Sequence, residues 1–449
     1  MKRIVRILLV VLLLLVVAGV LAYAFGREKA EVPIAELMGP KPRLTEPKSP
    51  LIPTVAVATP DVWRAGEKPV APAGMAVQQF AAGLDHPRWM LLLPNGDILV
   101  AETNAPPKPE GSGGGIKSWV QGLVMKRAGA RTPSANRITL LRDADGDGVA
   151  ESRSAFLTGL YSPFGMALVG DRLYVADADK LIRFPYQPGQ TKITAPAEKV
   201  ADLPAGINHH WTKGLVASPD GAKLYVAVGS NSNIAERGMA AEKDRAAVLE
   251  IDAATGAKRV FAYGLRNPVG MAWEPASKAL WTVVNERDEI GSDLVPDYLT
   301  HVEFGGFYGW PWFYWGGYTD TRVPDADLDQ RQYVIRPDYA LGPHTASLGL
   351  AFADQVRLGG RFAEGAFIGQ HGSWNRTPKS GYKVIFVPFR GGRPAGPPVD
   401  VLTGFLRSED KVAGRPVGVI GDKSGALLVA DDVGNRIWRV SPAQATASR

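Results

Sequence analysis

Residues 210–229 read "HWTKGLVASPDGAKLYVAVG": a polar entry, Gly214 ahead of apolar residues, a turn at Asp220-Gly221 and a return along "KLYVAV". Strand, Asp-Gly turn, strand is a β-hairpin signal. The phrase recurs as "HPRWMLLLPNGDILVAET" (86–103), "SPFGMALVGDRLYVADAD" (162–179), "NPVGMAWEPASKALWTVVNE" (267–286), "ASLGLAFADQVRLGGRFAEGAFIGQH" (346–371) and "RPVGVIGDKSGALLVADD" (415–432). Trp89, Gly165, Gly214, Gly270, Gly349 and Gly418 fall in one column, spaced by 76, 49, 56, 79 and 69 residues. Hairpins repeated at tens of residues predict an all-β fold, a six-bladed β-propeller. Its inner strands crowd a central channel, with glycine where backbones approach closely.

Outward from the repeats, the propeller is expected over residues 73–445. Segment 105–137 interrupts the first repeat and reads as a surface insertion with one helix near Ile116 to Arg127. At the N-terminus, Lys2, Arg3 and Arg6 precede an uncharged run from Ile7 to Phe25. Nineteen such residues just span a bilayer, and the basic flank keeps the start cytoplasmic. Residues 1–25 are therefore expected to be a signal anchor, or a signal peptide cut near Ala22-Tyr23-Ala24. Either sends the body across the membrane, to the periplasmic side in a bacterium. The Pro-rich residues 26–72 read as a tether.

Composition narrows the chemistry. The net charge of +6 is modest and the basic residues are scattered, so no nucleic-acid surface is expected. With no cysteine in the chain, disulfides, thiolate metal sites, a catalytic thiol and covalent haem are excluded. Redox chemistry requires a non-covalently held cofactor.

Several constellations sit where the repeats place them at a channel mouth. His209 and His210 precede the third inner strand, and neighbours in extended chain point oppositely, so one of the two is expected to face the channel. Arg266 and Asn267 occupy the corresponding place in the next repeat, where a guanidinium fork suits a carboxylate and the amide offers both donor and acceptor. His371, Arg376, Lys379 and Arg415, from the last two repeats, add basic groups to the same end and imply an anionic ligand on the axis. "NERDEIGSDLVPD" (285–297) gathers Glu286, Asp288, Glu289, Asp293 and Asp297, oxygen ligands that suit a hard cation. "RDADGDGVAES" (142–152) alternates Asp143, Asp145 and Asp147, follows them with the carbonyl of Val149 and with Glu151, and matches the first half of an EF-hand loop. Ser154 stands where the bidentate Glu of that loop belongs, and the expected Ca²⁺ role is structural. The aromatic run "YGWPWFYWGGY" (308–318) either walls a ligand site or packs between blades.

Together, the histidine before a blade strand, "GLRNPVGMAW", the acidic loop leading to "YGWP", "HGSWNRTP" and the closing "GRPVGV…LLVADDVGNRIWRV" resemble the glucose/sorbosone dehydrogenase family, from about Gly74 to Val440. The resemblance implies a six-bladed propeller that uses pyrroloquinoline quinone (PQQ) and Ca²⁺ to oxidise a sugar, polyol or aldehyde. It selects His210 over His209 as general base and matches Arg266, Asn267, Arg415 and either Arg376 or Lys379 to cofactor contacts. It places the cofactor's calcium near Asp288 and Glu289. The departures are Lys213-Gly214 for the family's Gly-Arg, Asp288-Glu289 for Gly-Pro, and Leu160 near a usual Gln. The electron acceptor implied is a membrane quinone or a periplasmic carrier. A calcium-dependent propeller lactonase and a non-catalytic, membrane-tethered binding propeller are the other readings.

Overall fold

A computed structural model describes residues 2–25, 28–48, 54–109 and 132–443. The body is nearly all β and has a β-propeller fold: six antiparallel sheets of four strands each, with short edge additions. Their first strands, Pro87–Leu92, Met166–Val169, Lys213–Ala217, Pro268–Trp273, Ser347–Phe352 and Pro416–Gly421, head sheets one to six. These inner strands neighbour one another in a closed cycle. The strand Met75–Ala82, from the N-terminal side, pairs with Arg436–Pro442 and completes the sixth sheet, so the two ends of the body are hydrogen-bonded together.

The glycine column holds the ring tight. A Cβ on Gly165 would come within 2.4 Å of Leu215 N, on Gly214 within 2.0 Å of Val269 O, on Gly270 within 2.4 Å of Leu348 O, and on Gly349 within 2.3 Å of Val417 O. Gly418 meets the first sheet at Arg88 O, 2.8 Å away, and the Trp89 ring continues to Phe164 at 4.7 Å. Each column position therefore leans on the next sheet. Six apolar cores fill the gaps between successive sheets. A smaller seventh, Phe164, Val269, Leu348 and Val417 with Trp89 and Trp211 against it, takes one residue from within or just before each inner strand and plugs the axis.

The structure differs from the expected tether. Much of 28–72 packs on the body: Met38–Gly39 adds a strand to the fourth sheet, Thr59–Pro60 pairs with Lys411–Val412, and Leu37, Ala58 and Trp63 are buried. Its prolines end helix and sheet ladders without preventing docking. Helix α1, Lys2–Phe25, lies where the anchor is expected and its described side chains are exposed. Some of its side chains lie outside the described residues. Among those described, no helix is long and apolar enough to cross a membrane. The helix expected near 116–127 falls on residues outside the described ones.

Candidate active site

Antiparallel pairing brings the start of each inner strand beside the end of the second strand: Pro87 faces Glu102, Lys213 faces Val228, Pro268 faces Val284, Ser347 faces Gln370 and Pro416 faces Asp431. Residues flanking these points from all the sheets therefore share one edge of the ring, above the apolar plug. Local sequence places each residue on its strand; ring closure makes them converge.

His210 is half-buried at this edge. Its Nδ1 lies 3.0 Å from the Ser230 carbonyl oxygen and 3.0 Å from Ser230 Oγ. A carbonyl only accepts, so Nδ1 carries the hydrogen and Nε2 keeps its lone pair. Burial, with Arg266 and His209 nearby, pushes the His210 imidazole well below its ordinary pKa, so it is neutral near pH 7. His209 is exposed, its ring edge-on to His210. A Cβ at Gly229 would meet Asn267 Oδ1 at 2.2 Å and His210 Cβ at 2.5 Å; the bare backbone there lets those two residues of neighbouring sheets approach.

Arg266 is buried, and each of its guanidinium nitrogens already donates: Nε to Asn233 O at 3.1 Å, Nη1 to Glu286 O, and Nη2 to Asn233 Oδ1 at 2.9 Å and Asp288 Oδ2 at 3.1 Å. Asp288 Oδ1 accepts from Asn375 Nδ2 at 2.7 Å. Burial opposes its charge, yet Arg266 and then His344 hold the Asp288 carboxyl well below the usual range. Asn267 donates to Asn285 Oδ1, but its own Oδ1 is buried without a partner among the described residues. Arg415, also buried, lies 5.0 Å over the Tyr382 ring, and its Nε and Nη2 likewise have no partner among the described residues. Asp431 fixes its backbone by accepting from Arg415 N at 2.8 Å.

Other expected site residues are used differently. Arg376 donates from each nitrogen, to Ser292 O, Pro378 O and Asp293 Oδ1. Lys379 reaches Ala56 O on the N-terminal segment. Both brace loops and are not brought to the unpartnered groups, because their loops turn toward residues 28–56. Asp288 has both carboxylate oxygens engaged, and its carbonyl accepts from Asn233 and Arg322. Glu289 has a positive φ of 69° and joins no cluster of three or more metal-capable side chains among the described residues. The cluster found there is Asp143, Asp145, Asp147 and Glu151, whose ligand atoms lie within 4.8 Å of one another. Arg137–Arg142 begins at the channel edge and ends away from it, so this loop lies at the opposite edge. Val149 donates its N–H to Asp147 within the loop.

Sequence reading missed one group. Buried Asp432 accepts from Arg88 Nη1 at 2.6 Å and meets His371 Nε2 at 2.9 Å and His86 Nε2 at 3.4 Å. Burial opposes ionisation of Asp432, and the imidazoles of His371 and His86 with the Arg88 guanidinium overcome it. Arg88, charged at every accessible pH, is the partner that secures this. Burial pushes His371 down to about 4 despite Asp432. Arg88 stands one residue before Trp89 of the first repeat and Asp432 one residue past the strand position that faces Pro416 in the sixth, so ring closure rather than any local pattern brings them together.

Fold and site define a β-propeller with a plugged axis and a channel mouth bearing imidazole and guanidinium groups. The chain matches the TrAA12-like family over residues 135–298 and 317–443, more than half its length, and belongs to that family. A PQQ-dependent pyranose dehydrogenase of Coprinopsis cinerea is 25% identical over 331 residues, 60% of this chain but 44% of that protein. An uncharacterized protein of Borreliella burgdorferi is 27% identical over 293 residues, 63% of this chain and 76% of that one. Among solved structures, the holo form of the C. cinerea pyranose dehydrogenase PQQ domain aligns with TM-score 0.65 and 21% identity over 86% of this chain and all of that one. The calcium structure of a Trichoderma reesei family AA12 enzyme gives 0.67 and 18% over the same shares. The structures share the fold.

Proposed function

We propose that the chain is a PQQ-dependent sugar dehydrogenase whose six sheets are the six blades of its propeller. The observation that carries this reading is the set of buried polar atoms left without partners among the described residues at the channel edge: Arg415 Nε and Nη2, Arg88 Nε and Asn267 Oδ1. Buried polar groups are ordinarily paired, so such a set suits a polar, anionic ligand, and guanidinium forks suit carboxylates. PQQ, a tricarboxylate, fits that donor set. Arg415, Arg88 and Asn267 would hold it, with Arg266 adding charge from behind. When bound, the quinone supplies a hydride acceptor. His210 Nε2 takes the substrate hydroxyl proton while the C–H carbon gives up hydride, leaving a carbonyl product. Ser230 fixes the tautomer that makes this possible.

His371 supports a second assignment of the base. If its Nε2–H donates to Asp432, its Nδ1 is left as acceptor, oriented by a carboxylate. The lactonase reading needs carboxylates converging at the axis, and the described cluster sits at the far edge, so it has less support. Calcium is proposed at the 143–151 loop in a structural role. A calcium beside the cofactor, near Asp288 and Glu289, rests on the family resemblance alone. The substrate class is a sugar, polyol or aldehyde, and the electron acceptor a membrane quinone or soluble carrier. The uncharged run Ile7–Phe25 supports export or anchoring of the body.

Purified full-length chain titrated with PQQ and Ca²⁺ should show saturable change in the quinone absorption, followed by dye-coupled oxidation of aldoses. Lack of PQQ binding, or hydrolysis of lactones in its place, would replace this reading.

A further inference from the structure

We propose that the described residues 28–48 and 54–63 form a strap that preorganises the channel edge, with Glu28 and Trp63 as positioning residues. The inference rests on the dehydrogenase reading for its functional consequence, though not for its structural one. Three separate contacts carry it.

The first is at the loop holding Asp288, the carboxylate paired with Arg266. Glu28 Oε2 accepts from Ser292 N at 2.9 Å and from Ser292 Oγ. Glu31 N and Val32 N donate to Asp293 Oδ2 at 2.7 and 3.1 Å, while Arg376 holds the other oxygen of the same buried carboxylate. Lys48 N donates to Ile290 O at 3.0 Å. The second contact is at the loop holding Asn375, where Ala30 N reaches Thr377 O at 2.9 Å and Ala56 N reaches Trp374 O at 2.7 Å. The third lies below Arg415. Trp63 Nε1 donates to Asp431 Oδ2 at 2.8 Å, and Asp431 Oδ1 fixes Arg415 N.

Without these contacts the Ser292 N–H would lose its acceptor, the Ile290, Thr377 and Trp374 carbonyls their donors, and Asp293 Oδ2 its two backbone donors, and such bonds are costly to leave unmade. The strap thus braces, from behind, Asp288, Asn375 and Arg415, residues of three different sheets. None of its residues needs to touch the ligand. It lowers the ordering cost of binding by holding the loops in place beforehand.

The test uses the full-length chain, with backbone hydrogen exchange measured before any cofactor is added. Glu28→Ala should speed exchange in 286–293 by about tenfold and weaken PQQ binding by about the same factor, as expected for a lost charge-assisted bond. Glu28→Gln, which keeps an acceptor for Ser292, should restore both. Trp63→Phe should act on 413–417 in the same way. Glu67→Ala removes the salt bridge to Arg407 just beyond the strap, away from these loops, and should lower thermal stability without changing PQQ affinity. Wild-type exchange in 286–293 and wild-type PQQ affinity for Glu28→Ala would overturn the strap. If wild-type protein binds no PQQ, the dehydrogenase reading fails, and the exchange comparison still decides the strap.

Discussion

His210 and His209 differ in what their backbone lets them do. Ser230 binds one nitrogen of His210 and leaves the other free, whereas no such partner among the described residues orients the ring of the exposed His209. His210→Ala is expected to reduce kcat by roughly 10²–10⁴ with PQQ still bound, and His209→Ala far less, in steady-state oxidation assays. If His371 is the base, the larger loss moves to His371→Ala. Gly229→Ala tests the close approach of His210 and Asn267, since its methyl has no room between them, and should lower kcat in the reconstituted enzyme. The pH dependence has a defined sign. Burial lowers His371 to about 4, so between about 6.5 and 4 the unfolded chain binds more protons than the folded one. That contribution to stability is complete above about 6.5 and is lost as pH falls toward 4. Subtracting the melting curves of His371→Gln from wild type should isolate it, and a difference independent of pH would mean that the imidazole is not held neutral.

At the scale of elements, the sequence was most legible where one strand repeats one rule. The hairpins and the glycine column follow from alternation and Asp-Gly turns, and each column glycine does abut the next inner strand. Gly270→Val should therefore lower Tm, overpacking of this kind typically costing about 1–3 kcal/mol. The 143–151 loop was legible as well, because all its ligands lie within one turn. It packs on the strand that closes the ring, Ala150 N donating to Phe80 O and Gln78 Nε2 to Asp147 O. Asp145→Ala should thus reduce the Tm gained from added Ca²⁺ while leaving turnover intact; lost turnover at unchanged Tm would place the functional ion here. Arg376 and Lys379 were not legible as braces, because a basic residue after a blade strand looks the same whether its loop faces the channel or the strap.

The whole molecule is a ring closed by its own N-terminal side. Chains beginning at Glu28 should keep the wild-type circular dichroism and leave the membrane fraction; persistent membrane association would count against a single N-terminal anchor. Chains beginning at Gly83 lack the closing strand and should fail to fold. What the sequence by itself determined is the local grammar: six hairpins, their inner glycines, the self-contained acidic loop, and an uncharged N-terminal run, each set by residues a few positions apart. The tertiary structure alone decided which polar groups meet. Asp432 gathers Arg88, 344 residues away, with His371, and the segment that reads as a loose tether becomes a strap across three sheets. Periodicity fixes which face of a strand a side chain takes. Closure of the ring fixes what lies opposite, and that depends on the packing of all six sheets at once.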